Sequence, residues 1–185
     1  MEDLSDEALM ARVVEGDPGA FRPLVERHMR RVLSLAQRIV KVPADADEVA
    51  QETFLKILMR PALFNPSKAR FTTWLHRVTV NLCIDRQRTR AEQYDDEVHA
   101  EPAVDPRLAD LVEAGERRTA LNTSLMALPV RQRTAIVLFY MQELSQREAA
   151  SIMNVSEGAF ESLLQRGRSA LAVALRPHAN PERNS

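Results

Sequence analysis

The sequence has 185 residues, of which 45% are hydrophobic and 28% are charged, and its formal net charge is −1. This balance excludes a disordered chain, and the sequence contains no run of about 20 apolar residues that would span a membrane. The N-terminal residues are acidic and polar, unlike a secretory signal, and the single cysteine, Cys83, cannot form an internal disulfide. We therefore expect a soluble cytoplasmic protein with no membrane insertion.

Residue types favour helices, and the distribution of charge divides the chain. Leu, Ala, Arg, Glu and Val dominate, whereas 5% of residues are aromatic. Residues 1–92 hold 15 basic and 13 acidic side chains, residues 114–177 hold eight and five, and residues 93–113 hold one and seven. The sequence predicts an all-α fold of two small helical domains, 1–92 and 114–177, joined by the acidic linker 93–113 and followed by a tail, 178–185. A solvated spacer with no function of its own explains the acidic stretch equally well.

Two helices are predicted in the first 40 residues. The first ends before Gly16–Gly19, and Asp17 is placed to cap the second, which runs to Val40. Pro23 predicts a kinked or irregular first turn in the second helix. His28 lies on its apolar stripe. Because no second His or Cys stands at a metal-binding spacing, we expect a packed core histidine, with no metal and no cofactor.

The third predicted helix, over about residues 43–59, carries an acidic ridge. The ridge consists of Asp45, Glu48, Gln51 and Glu52. Its carboxylates are spaced i, i+3 and i+7, so they share one surface of the helix. The helix macrodipole favours acidic residues in the first turn, but Glu52 lies too far into the helix for that explanation. An acidic ridge with Phe54 and Leu55 alongside would suit docking onto a basic partner helix.

A fourth helix is predicted after the loop at residues 65–71, with Thr72 as its cap. Cationic and aromatic side chains are interleaved along this stretch, namely Lys68, Arg70, Phe71, Trp74, Arg77 and Arg86. Cations that hold phosphates beside aromatic faces that stack bases are the chemistry of single-strand binding. The same pattern arises when aromatic residues at the start of a helix belong to the core and the helix dipole favours arginines at its end. Both interpretations therefore stay open.

Residues 144–166 have the spacing of a helix-turn-helix. Ser145 and Glu148 form a predicted capping box on a short helix. Asn154 stands where the turn needs a left-handed backbone, and Ser156 caps a second helix. The outward face of that second helix, where a recognition helix meets base edges and phosphates, carries Glu157, Glu161, Ser162, Gln165, Arg166 and Arg168. An ordinary helical hairpin is the alternative.

Four motifs follow one another along the chain: Asp45–Leu55, Phe71–Leu75 with Asn81–Arg86, Leu128–Arg133, and the helix-turn-helix that ends at Gln165–Arg168. With these motifs, from about residue 9 to residue 175, the chain resembles the bacterial extracytoplasmic-function, or group IV, RNA polymerase sigma factors. The resemblance implies that residues 1–92 form sigma region 2, which docks on the polymerase β′ clamp helices and opens the −10 element. It implies that residues 114–177 form region 4, which reads the −35 element and touches the β flap, and that the linker occupies the polymerase's RNA-exit and active-site channel.

The resemblance also implies roles for single residues. The implied contacts with core RNA polymerase are Asp45, Glu48, Gln51, Glu52 and Phe54. The implied contacts with promoter DNA at the −10 element are Asn65, Lys68, Arg70, Phe71, Trp74, Arg77, Asn81 and Arg86. Those at the −35 element are Glu157, Glu161, Ser162, Leu163, Gln165, Arg166 and Arg168. Leu163 departs from the family, which commonly has a basic residue there.

The family implies a promoter-specificity subunit that responds to stress and is held by an anti-sigma factor; it does not imply an enzyme. A second hypothesis is a sigma-like decoy that binds an anti-sigma protein. A decoy would have lost its DNA-facing arginines and would usually carry a receiver domain, for which this length leaves no room. A third hypothesis, a plain helix-turn-helix repressor or activator, leaves the acidic ridge and the Phe71–Trp74 segment unexplained.

Overall fold

The computed structural model describes residues 4–93 and 112–175, and every regular element in these ranges is helical. The helices are α1 (Asp6–Val14), α2 (Phe21–Ile39), α3 (Pro43–Met59), α4 (Phe71–Gln93), α5 (Val112–Ala127), α6 (Val130–Ile136), α7 (Gln146–Met153) and α8 (Glu157–Ala174). A π turn, Val137–Met141, continues α6. The prediction of an all-α fold is confirmed for this part of the chain. None of its helices has the length and apolar character needed to cross a membrane.

Helices α1 to α4 form the first helical unit, in which α2 packs against α3 and α4. The irregularity expected at the start of α2 takes the form of a 3₁₀ turn, Pro18–Ala20, in which Asp17 Oδ1 accepts from Gly19 N at 2.8 Å. Pro23 then lies in the first turn of α2, where a missing N–H removes no helical hydrogen bond. His28 is buried as expected, with Nε2 placed 2.7 Å from Asp6 Oδ2.

The start of α4 is held by a contact from the other end of the first unit. The helix begins at Phe71, so Thr72 lies inside it, and the prediction that Thr72 is the cap is wrong. The Phe71 backbone N–H donates instead to Glu7 Oε1 of α1 at 3.0 Å. A carboxylate at a helix N-terminus satisfies a free donor and is favoured by the macrodipole. Helix α1 therefore positions the start of α4 and the loop before it.

Helices α5 to α8 form the second helical unit, and α6 crosses α8 at Gly167. A Cβ atom on Gly167 would lie 3.0 Å from Ile136 Cγ1 and 3.3 Å from the Gln132 carbonyl oxygen, so the close crossing requires glycine. Arg133 is fully buried, and its Nη1 donates to the Met126 carbonyl oxygen at 2.7 Å. This bond satisfies one of the carbonyls left free at the C-terminal end of α5.

The two helical units share one apolar core. Its fully buried members include Leu35, Ile39, Val80 and Cys83 from the first unit and Leu138, Ala149, Ile152 and Phe160 from the second. Helix α4 packs against α7 and α6, and α2 packs against α6. The sequence predicts two units on a tether, and the structure places the two units in direct contact. Residues 94–111, which make up most of the predicted linker, and the predicted tail lie outside the described residues.

Candidate nucleic-acid interface

The helix-turn-helix is built by local hydrogen bonds. Ser145 Oγ accepts from Glu148 N at 3.2 Å, and Glu148 Oε2 accepts from Ser145 N at 3.0 Å, so the predicted capping box is confirmed. The Ser145 hydroxyl, which donates to Glu148 Oε2 at 2.7 Å, and then the Ser145 backbone N–H hold the pKa of the Glu148 carboxyl below its usual range. Asn154 adopts the predicted left-handed backbone, with φ 53° and ψ 51°. Ser156 Oγ then accepts from Ala159 N at 3.2 Å and caps α8.

The outward face of α8 is polar and exposed. Its exposed members are Glu157, Glu161, Ser162, Gln165, Arg166 and Arg168. Arg166 Nε donates to the Ser162 carbonyl oxygen at 3.1 Å, which lays the guanidinium along its own helix. Leu163 differs from the rest because it is half-buried and packs against the shared core. It is therefore less accessible to a base edge than its neighbours on this face.

The loop before α4 presents three polar side chains to solvent. Asn65, Lys68 and Arg70 are all exposed. Asn65 Oδ1 accepts from Ser67 N at 2.9 Å, and the Lys68 N–H donates to the Asn65 carbonyl oxygen at 3.0 Å, so the loop is a turn stabilised by its own first residue. Asn65 thus has its side-chain oxygen engaged within the turn, and Arg70 lies near Glu148 of α7, where both line one surface groove.

The aromatic residues of α4 are part of the core of the first unit. Phe71 has no exposed surface, and its ring centroid lies 5.7 Å from that of Phe64 and 5.3 Å from that of His28. Trp74 is half-buried, with its centroid 5.4 Å from Phe64. Because a stacking platform must expose a ring face, the burial of Phe71 contradicts a direct base contact by this residue. Phe71 instead supports Trp74 and the loop before α4.

Along α4, two of the three remaining candidate DNA contacts are engaged within the chain. Arg77 Nη2 donates to Ser151 Oγ of α7 at 2.9 Å. Arg86 forms ion pairs with Glu48 and Glu52 of α3. Asn81, the third, is exposed. The structure therefore leaves Asn81 accessible and couples both arginines to other helices.

The acidic ridge of α3 divides into an exposed and a buried part. Glu48 and Gln51 are exposed, and the Glu52 side chain keeps 42% of its surface. Asp45 and Phe54, in contrast, are 2% and 4% exposed. A direct contact of these two residues with a partner is contradicted by their burial, because Asp45 faces the end of α4 and Phe54 faces the core.

The exposed face of α3 continues into two apolar residues: Leu55, which the sequence places beside the acidic ridge, and Met59, which was not predicted there. Leu55 is 55% exposed and Met59 is 72% exposed. Leu55 and Met59 follow Glu48 by 7 and 11 residues and Glu52 by 3 and 7 residues, so all four lie on one side of the helix. Helical spacing was the signal that could have found Met59. Exposed large apolar side chains next to a charged ridge are typical of a protein-binding surface.

Comparisons with known proteins place the chain in a family. The model of sigma-70 region 2 matches residues 24–93, and that of sigma-70 region 4 matches residues 118–171. The extracytoplasmic-function (ECF) RNA polymerase sigma factor SigM of Mycobacterium tuberculosis (strain ATCC 25618 / H37Rv) is 36% identical over 172 residues, which cover 92% of this chain and 85% of SigM. The chain belongs to the ECF RNA polymerase sigma factors. Sigma factors are transcription initiation factors.

Two solved structures resemble this ECF sigma factor in fold. CnrH, in complex with the cytosolic domain of CnrY, is 27% identical, with a TM-score of 0.65 over 92% of this chain and 96% of the matched chain. RpoE of Bartonella quintana, in complex with the anti-sigma factor NepR, is 21% identical, with a TM-score of 0.68 over 85% and 98%. The region 2 match covers most of α2 and all of α3 and α4, and the region 4 match covers α6, α7 and most of α5 and α8.

Proposed function

We propose that this chain is a promoter-specificity subunit, not an enzyme, which binds core RNA polymerase in the cytoplasm and directs it to promoters with −35 and −10 elements. The observation that carries the proposal is the helix-turn-helix, whose second helix keeps six polar or charged side chains exposed on one face. A recognition helix needs such a face to enter the major groove.

We assign residues 1–92 to the −10 element and polymerase, residues 114–177 to the −35 element and the β flap, and residues 93–113 to the connection between them. At the −10 element, the exposed turn with Asn65 and Arg70 is suited to hold a nucleotide that has left the duplex, since its donors reach both base edges and phosphates.

Docking to the β′ clamp helices is assigned to the exposed face of α3. We call this face, made of Glu48, Gln51, Glu52, Leu55 and Met59, the α3 docking surface. Its carboxylates attract a basic helix, and its apolar end loses contact with water when the helix is covered. Met59 thereby extends the surface beyond Leu55, the last residue of the sequence motif.

An anti-sigma factor is the proposed regulatory partner. RpoE of Bartonella quintana is bound by the anti-sigma factor NepR, and CnrH by the cytosolic domain of CnrY. We extend this mode of control to the present chain by family likeness. The decoy hypothesis is disfavoured because Arg166 and Arg168 remain exposed on α8, and the plain repressor hypothesis is disfavoured by the α3 docking surface.

Run-off transcription tests the proposed function. Core polymerase, purified chain and genomic DNA fragments are combined, and transcripts are mapped to their start sites. We expect starts from a small set of promoters that share −35 and −10 sequences, and none from core polymerase alone. Binding to an anti-sigma protein without binding to core polymerase or any specific transcript would favour the decoy, and specific duplex binding without polymerase would favour the repressor.

A further inference from the structure

Helix α4 begins behind an arginine that cannot cap it. Arg70 precedes the first helical residue, and its carbonyl oxygen accepts from Trp74 N at 3.1 Å, so Arg70 stands at the N-cap position. The side chains that cap helices have an oxygen that accepts from a free backbone N–H, whereas a guanidinium only donates, and its charge is unfavourable at the positive end of the helix dipole. The first turn of α4 therefore receives no cap from the side chain in front of it.

Glu7 of α1 supplies an acceptor from 64 residues away in the sequence. Its Oε1 accepts from the Phe71 N–H at 3.0 Å, and the contact is partly buried. A carboxylate in this place is favoured both by the charge-assisted hydrogen bond and by the dipole, and partial burial reduces the competition from water. The start of α4 is therefore held by a charged side chain of α1.

The neighbouring carboxylate, Asp6, holds α1 in the position that this bond needs. Asp6 Oδ2 lies 2.7 Å from His28 Nε2, and Asp6 Oδ1 accepts from Arg27 Nη1 at 3.1 Å, so the first turn of α1 is attached to α2. Leu9, which follows on α1, has no exposed surface and belongs to the core of the first unit. Because these contacts do not involve Glu7, α1 should stay in place when Glu7 alone is changed.

The turn at residues 65–70, which the proposed function assigns to the −10 element, depends on Phe71 at both of its ends. On one side, the Phe64 ring is 7% exposed and its centroid lies 5.7 Å from that of Phe71. On the other side, Arg70 is joined to Phe71 by the peptide bond. Since Glu7 holds the Phe71 N–H, a loss of that bond should shift the exposed side chains of the whole turn.

We propose that Glu7 is a positioning residue for reading the −10 element. Its carboxylate caps α4 from α1, which leaves the N-cap position to Arg70, a cation assigned to promoter DNA. Side chains that hold an unpaired nucleotide must be placed to within about 0.5 Å, so loss of the cap should slow promoter opening in a chain that stays folded. The proposal rests on the proposed function for its effect at promoters, but not for the cap itself.

Hydrogen exchange of the Phe71 amide tests the cap in the free full-length chain. Glu7→Ala should lower the protection of this amide by about threefold to thirtyfold, the range expected for loss of a helix cap. Glu7→Gln keeps an acceptor oxygen without the charge and should keep most of the protection. Glu15→Ala removes an exposed carboxylate at the other end of α1 and should change nothing. Equal protection in the Glu7→Ala protein and the unchanged chain would overturn the proposal, and so would an equal loss in Glu15→Ala.

Promoter opening with core polymerase tests the positioning role. A fluorescent base analogue in the −10 element reports the opening rate, and competition with a labelled sigma factor reports the affinity for core polymerase. We expect Glu7→Ala to slow opening by about threefold to tenfold and to weaken discrimination among single-base −10 variants. Polymerase affinity should be unchanged, because the α3 docking surface lies on another helix. Glu7→Gln should recover more than half of the opening rate, and Glu15→Ala should behave like the unchanged chain.

The two measurements separate the cap from its role at promoters. Lost protection of the Phe71 amide with an unchanged opening rate and unchanged base preference would overturn the positioning role. An equal loss of polymerase affinity and of opening rate would overturn it too, because Glu7 would then support the fold as a whole. If the unchanged chain opens no promoter while the Phe71 amide responds as expected, the proposed function fails and the cap stands.

Discussion

The Arg90 guanidinium of α4 contacts the Asp45 carboxylate of α3 through two nitrogen atoms. Nη2 donates to Oδ1 at 2.9 Å, and Nε lies 2.7 Å from Oδ2. The Asp45 side chain is 3% exposed, while the guanidinium keeps 37% of its surface. The pair joins the first turn of α3 to the last turn of α4. It therefore holds the N-terminal end of α3, which carries the α3 docking surface, against α4.

Removing Arg90 should destabilise the fold. Arg90→Ala leaves the Asp45 carboxylate buried without its bidentate partner, and we expect the free energy of unfolding to fall by about 1–3 kcal/mol, below the full cost of a buried pair because Arg90 is partly exposed. Arg86→Ala, which removes a more exposed pair between the same helices, should cost less than about 1 kcal/mol. Urea denaturation measures both. Equal losses would contradict the special role of Arg90.

Replacing either of two glycines of α8 with alanine should change the stability of the fold, and the two changes should have opposite signs. At Gly167 the new Cβ meets Ile136 Cγ1 at 3.0 Å and a backbone oxygen at 3.3 Å, so Gly167→Ala should lower stability by about 1–3 kcal/mol. At Gly158 a Cβ meets nothing within 4 Å, so Gly158→Ala should raise stability by about 0.5–1 kcal/mol. Thermal unfolding followed by circular dichroism decides the signs. A neutral Gly167→Ala would mean that α6 and α8 are less closely packed.

Acid should weaken the fold through His76. Burial, and to a smaller degree the charges of Arg31 and His28, lower the pKa of His76 to about 4. The other charged groups around its cavity are Arg70, Glu143 and Glu148. Because the unfolded chain binds a proton near pH 6.5 and the folded chain does not until about pH 4, stability is lost as the pH falls between these values. From pH 7 to pH 5 the loss from this group is about 2 kcal/mol.

The His76→Leu variant isolates this effect. Between pH 7 and pH 5, the free energy of unfolding of the unchanged chain should fall by about 2 kcal/mol more than that of the His76→Leu variant. Urea denaturation at the two pH values gives the difference. Identical pH dependence in the two proteins would mean that His76 is protonated in the folded state.

Charge reversal on the α3 docking surface should weaken polymerase binding. Glu52→Lys presents a like charge to a basic partner helix, and such a contact costs several kcal/mol, so affinity for core polymerase should fall at least about tenfold. Glu26→Lys on exposed α2 is the matched control and should bind normally. Competition with a labelled sigma factor for core polymerase measures both. Unchanged competition by a folded Glu52→Lys protein would remove this surface from the interface.

Base discrimination at the −35 element should depend on Arg166. If its guanidinium leaves the Ser162 carbonyl and reads guanine, Arg166→Ala should cost about 1–3 kcal/mol and lose discrimination at one base pair. If it holds a phosphate, affinity should fall evenly across sequences and the salt slope should shrink by about one. Transcription from single-base −35 variants separates the two, with exposed Arg131→Ala as the control. Unaltered activity and base preference would place another face of α8 in the groove.

Local hydrogen bonding explains why parts of this protein could be predicted from the sequence. The capping box of Ser145 and Glu148 and the left-handed turn at Asn154 involve residues at most four apart, so the residue types alone indicate them. Helical spacing likewise placed α3 over residues 43–59 and put Glu48 and Glu52 on an exposed surface.

Burial and pairing depended on contacts across long stretches of sequence. The sequence around Phe71 is compatible with a ring that stacks on a base or with a ring in the core. Its packing against His28, which lies 43 residues earlier, shows that the ring belongs to the core. Asp45 belongs to the acidic ridge by its spacing, yet Arg90 takes it out of solvent. The sequence by itself therefore determined the helical fold class, the caps at Ser145 and Ser156 and the family, because these follow from local patterns and motifs, whereas the start of α4 depends on distant Glu7. Only the tertiary structure shows which charged side chains remain exposed and that α7 packs against α4. Burial depends on surfaces that meet when distant helices pack, so it cannot be inferred from neighbouring residues.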